Sequence, residues 1–65
     1  MNRGQLIERK HEVIARLQRT RRELERVRLQ ADSRSQRRAL ELEAQLAQLM
    51  AEEHQLRIEI DRSKA

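Results

Sequence analysis

Gln30-Ala31-Asp32-Ser33-Arg34-Ser35-Gln36 interrupts an otherwise uniformly helical sequence, and the fold turns on how that interruption is read. Upstream of it an apolar seam runs Leu6, Lys10, Val13, Leu17, Thr20, Leu24, Val27, Ala31, with spacings that alternate between four and three. Downstream a second seam runs Ser35, Ala39, Leu42, Leu46, Leu49, Glu53, Leu56, Ile60 with the same alternation. That spacing places each set on one stripe of an α-helix, the a and d positions of a coiled coil. Leu6, Val13, Thr20 and Val27 take d in the first run, and Ser35, Leu42, Leu49 and Leu56 take d in the second. The two runs are out of phase by one residue, and the slip falls between Ala31 and Ser35.

Asp32 and Ser33 are good helix N-caps, and Ser33 with Gln36 three residues on has the form of a capping box. Asp also tolerates the left-handed backbone that helix exits commonly use. The stretch contains neither Gly nor Pro, so a single continuous helix that absorbs the slip by altered supercoiling is the competing reading. Such a helix would be about 97 Å long at 1.5 Å per residue.

Pairing favours the folded-back chain. Turned about Ser33, the seams meet as Leu6 with Ile60, Leu17 with Leu49, Thr20 with Leu46, Leu24 with Leu42 and Val27 with Ala39. Lys10 and Glu53 fall in adjacent layers, where they can pair and set the register. Flanking positions match as Arg9–Glu59, Arg16–Glu52 and Arg21–Glu43, with Ile14 beside Met50. A parallel dimer of straight helices would stack Lys10 on Lys10 and Glu53 on Glu53. The expected architecture is therefore all-α, a single domain over residues 1–65 forming an antiparallel two-helix coiled-coil hairpin. Its helices are expected at about 4–31 and 35–62, with a turn at about 32–34.

The composition agrees. Charged residues make up 40% of the chain and hydrophobic ones 37%, with no Phe, Tyr, Trp, Cys or Pro. Strands are not expected where β-branched and aromatic residues are this sparse. A chain of 65 residues rarely stabilises itself with one core, so self-association or a helical protein partner is expected. The apolar stripe widens at the end holding both termini. The association surface is therefore placed on Leu6, Ile7, Val13, Ile14, Leu17, Leu49, Met50, Leu56 and Ile60, and dimerisation would complete a four-helix bundle. Leu29, Leu40 and Ile58 point elsewhere.

Chemistry is harder to find. His11 and His54 come to one level in the hairpin beside Glu12 and Glu53, but both occupy outward b positions and neither sits in a zinc-binding motif. No cofactor, metal or small-molecule substrate is expected. Acid–base catalysis requires groups held in a concave, partly dry pocket, which two short helices do not build, so no enzymatic activity is expected. The chain has no cysteine, no signal-like apolar run and no membrane-length stretch, and a soluble, cytoplasmic protein is expected.

The basic residues are the remaining signal. Thirteen of the fifteen are Arg, and residues 1–38 hold twelve basic against five acidic groups. Arg19, Arg22 and Arg26 share one helical face, and with Arg34 and Arg37 they could contact phosphates. The plainer reading is a solvated face neutralised by Glu12–Arg16 and Arg19–Glu23 rungs. No aromatic residue is present to stack on bases.

In its proportions the expected hairpin resembles plasmid RNA-binding hairpins of the Rop type, and small co-chaperones of type III secretion needles. The likeness is one of shape and rests on no shared motif. The leading expectation is a non-enzymatic protein–protein interaction module, a small coiled-coil adaptor or chaperone-like subunit. The alternative is a nucleic-acid-binding hairpin dimer that uses the Arg face.

Overall fold

A computed structural model describes residues 2–30 and 32–63. Two helices, α1 (Arg3–Arg28) and α2 (Ser33–Arg62), pack against each other, and the described residues contain no strand. The Cα envelope measures 51 × 14 × 13 Å, about half the length a continuous helix would need. The chain is a helical hairpin.

α1 begins on a capping box formed by Asn2 and Gln5, which the heptad pattern does not announce. The backbone N–H of Gln5 donates to Asn2 Oδ1 at 2.8 Å, and the N–H of Asn2 donates to Gln5 Oε1 at 3.1 Å. Two N–H groups that a helix start leaves unpaired are thereby satisfied. The signal was present as Asn followed three residues later by Gln.

The helix ends at Arg28, earlier than the expected boundary near residue 31; Ala31 itself lies outside the described residues. The last turn tightens, with the N–H of Leu29 donating to the Arg26 carbonyl and that of Gln30 to the Val27 carbonyl. No described residue has a positive φ, so the exit does not use left-handed backbone. Asp32, in extended conformation, is the N-cap of α2 and accepts the N–H of Ser35 at 2.7 Å. The expected Ser33–Gln36 box is replaced by this cap one residue earlier. Asp32 reaches the third N–H of the helix directly, so the helix starts at Ser33. Ser35 Oγ donates to Gln30 Oε1 at 2.6 Å and ties the two sides of the turn together, with Ser35 itself buried.

The core is the double seam. Leu6, Val13, Leu17, Leu56 and Ile60 form one buried cluster, with Ile7, Leu46 and Leu49 packed on it. Leu24 and Leu42 are buried nearer the turn. Among the described seam positions every residue is buried or half-buried, Lys10, Thr20 and Glu53 included.

Candidate functional site

The seam leaves two flanks along the hairpin, and they differ in chemistry. One flank carries the g positions of both helices. Here Arg9 Nε donates to Glu52 Oε1 across the helices at 2.7 Å, while its Nη1 reaches Glu12 on its own helix at 3.1 Å. Arg38 does the same from the other helix, donating to Glu23 across the hairpin at 2.8 Å and to Glu41 at 3.2 Å. The two clamps are related by an approximate twofold: each Arg holds a Glu three residues on and a Glu of the facing helix. Both guanidinium pKa values are raised, chiefly by the hydrogen bond to the cross-helix carboxylate, Glu52 for Arg9 and Glu23 for Arg38.

These partners correct the expected pairing. Arg9 takes Glu52 rather than Glu59, and Glu43 is held by Arg28 at 2.8 Å rather than by Arg21. Each pair still joins like positions, g to g or e to e, but from the neighbouring heptad. A guanidinium presents a fork of donors and can bridge two carboxylates at once, which Arg9 achieves only between Glu12 and Glu52. The rungs expected to neutralise the Arg face are also displaced. Glu12 is held by Arg9 and Glu23 by Arg38, so Arg16 and Arg19 have no carboxylate within 4 Å among the described residues.

The Lys10–Glu53 register pair does not form as an ion pair. Glu53 accepts from Arg57 one turn along its own helix at 2.8 Å. A charged Arg four residues away on the same surface competes successfully with a Lys that must direct its ammonium into an apolar seam.

The second flank carries the e positions. Ile7 and Ile14 of α1 are half-buried there, and Met50 of α2 is 48% exposed. Beyond them, towards the turn, a groove between the helices is lined by Leu24, Leu46, Ala47 and Met50 together with the charged Arg21, Glu25, Arg28 and Glu43. Of the expected association residues, Leu6, Val13, Leu17, Leu56 and Ile60 are enclosed in the hairpin's own core, and Leu49 is half-buried against it. Ile7 is likewise half-buried against that core, Ile14 is half-buried on the e flank, and Met50 alone of the nine is exposed.

Arg19, Arg22, Arg26, Arg34 and Arg37 are all exposed. Arg22 Nε makes one long bond to the Gln18 carbonyl at 3.4 Å. His11 and His54 are exposed as well, and no group of three or more potential metal ligands converges among the described residues. No helix is long and apolar enough to cross a membrane among the described residues.

Charge is distributed unevenly along the rod. The half around the turn, residues 16–50, carries nine basic and five acidic side chains, whereas residues 1–15 and 51–65 carry six of each. No known protein family, curated protein or solved structure matches the chain. The likeness in proportions to Rop-type hairpins therefore carries no residue across.

Proposed function

We propose that this chain is a non-enzymatic interaction module, a helical hairpin that self-associates or receives a partner helix on its e flank. The observation that carries the reading is the contrast between the flanks. The g flank is bridged by two double-carboxylate clamps, and the concavity between them is lined mostly by polar and charged side chains, Arg16, Arg19, Glu23, Gln45, Gln48 and Glu52. The e flank instead presents Ile7, Ile14 and Met50 beside a groove lined in part by Leu24, Leu46 and Met50.

Surface area points the same way. A compact monomer of 7.8 kDa exposes about 4,400 Å², and this hairpin exposes 5237 Å². The excess, roughly 800 Å², is of the size that one partner contributes to a standard protein interface. A second hairpin laid on the e flank would cover it and produce a four-helix bundle, with contacts of the helix-in-groove kind.

Sedimentation velocity with interference optics is the suitable test, because the chain has no aromatic residue to absorb in the near ultraviolet. The expected result is a species of twice the chain mass at tens of micromolar, reduced to the monomer in Ile14→Gln/Met50→Gln. A variant that associates as the parent does would remove the e flank from consideration.

A further inference from the structure

We infer that the turn-proximal half of the g flank binds the phosphate backbone of duplex nucleic acid, through Arg19, Arg22 and Arg26 of α1 with Arg34 and Arg37 of α2. Three observations carry this. First, the carboxylates that would neutralise the face are engaged elsewhere: Glu12 by Arg9, and both Glu23 and Glu41 by Arg38. Among the described residues none of the five Arg side chains has a carboxylate within 4 Å.

Second, the Arg38–Glu23 bridge aligns the two rows. Glu23 lies one turn from both Arg19 and Arg26, and Arg38 lies one turn from Arg34, so the bridge at 2.8 Å sets the Arg rows of the two helices side by side. Arg22 and Arg37 extend the same surface outward by one step on each helix. Arg38 is thus a positioning residue and not itself a phosphate ligand.

Third, the charge is concentrated. The half of the rod around the turn has four more basic than acidic groups, and the rest of the chain is balanced, so a polyanion is drawn to one end. Duplex is favoured over single strand because the chain contains no aromatic residue on which unpaired bases could stack. Contacts to phosphates alone read no base sequence, so the binding is expected to be indifferent to sequence. This surface is separate from the apolar e flank, so the inference stands whether or not the hairpin self-associates.

The test is fluorescence anisotropy of a short, labelled, mixed-sequence DNA duplex titrated with the full chain across about 50 to 200 mM salt. Five phosphate contacts give a slope of log K against log salt of roughly −4 to −5 per bound hairpin, at about −0.9 for each contact. Arg19→Gln/Arg22→Gln/Arg26→Gln should flatten that slope by about 2.7, while the corresponding triple Lys variant retains it. Circular dichroism should show both variants as helical as the parent, since these side chains hold no carboxylate. If the Gln variant loses helix, Arg34→Gln/Arg37→Gln replaces it and should flatten the slope by about 1.8. No duplex binding at about 50 mM salt, or an unchanged slope in a folded Gln variant, would overturn the inference. So would capture by phosphatidylserine vesicles without capture by the duplex, which would reassign the face to an anionic lipid surface.

Discussion

The turn depends on very few atoms. Asp32 accepts the Ser35 N–H, Ser35 Oγ donates to Gln30, and no glycine or left-handed residue assists among the described positions. The Asp32 carboxyl pKa is held below its ordinary value, because the Ser35 backbone N–H hydrogen-bonds to the charged form. A depressed folded-state pKa means that the cap is fully effective above the unfolded value of about 3.9 and weakens as pH falls through the folded value. Thermal melts followed by circular dichroism should therefore lose stability as pH falls below about 4. Asp32→Asn, which caps without titrating, should lose less over that range than the parent. Asp32→Ala at neutral pH should lower Tm by about 5 °C. Gly4 offers the opposite experiment. It lies in the first turn of α1 with an ordinary φ, and an added Cβ would meet only Asn2 Oδ1 at 3.4 Å. Gly4→Ala should stabilise the hairpin by about 0.5 kcal/mol in urea titrations.

At the scale of the helices, what the sequence made legible was whatever depends on spacing alone. The four-three alternation places Leu6, Val13, Leu17, Leu24, Leu42, Leu56 and Ile60 inward, and all seven are buried. Leu40 and Leu42 show how sharply the period discriminates, with Leu40 67% exposed and Leu42 1%. Leu42→Ala should accordingly cost about 2–5 kcal/mol, whereas Leu40→Ala should change stability by less than about 0.5 kcal/mol. Urea titration of the two variants side by side measures the difference. Ion-pair partners were less legible, for a physical reason. Each flanking Arg is long enough to meet a carboxylate in either of two heptads of the facing helix, and spacing does not choose between them. Arg9 selects Glu52 because the same guanidinium then also holds Glu12. Of the two N-caps the sequence offers at the turn, Asp32 takes the place and accepts the Ser35 N–H, whereas the Ser33–Gln36 box does not form; at the other end, Gly4 inside the Asn2–Gln5 box hides that signal. Spacing alone does not divide the candidate association face, because seam residues count as apolar whether a hairpin or a partner covers them. Only the structure separates Ile7, Ile14 and Met50 from the five that the chain buries by itself.

On the scale of the whole molecule, the hairpin is a rod 51 Å long, and its radius of gyration of 14.9 Å exceeds the roughly 11 Å of a compact chain of this length. The whole surplus of positive charge lies around the turn, and the residues towards the termini are balanced. The rod is therefore an electric dipole directed along its long axis. Salt at physiological strength screens charges beyond about 8 Å, so the two ends do not sense each other within one molecule. Two rods in contact along a flank are close enough to do so. Side by side and pointing the same way, they would set turn against turn and stack like charge on like. Reversed, each turn lies beside the other's termini, and the dipoles cancel. Self-association on the e flank should therefore be antiparallel, with one Arg surface at each pole.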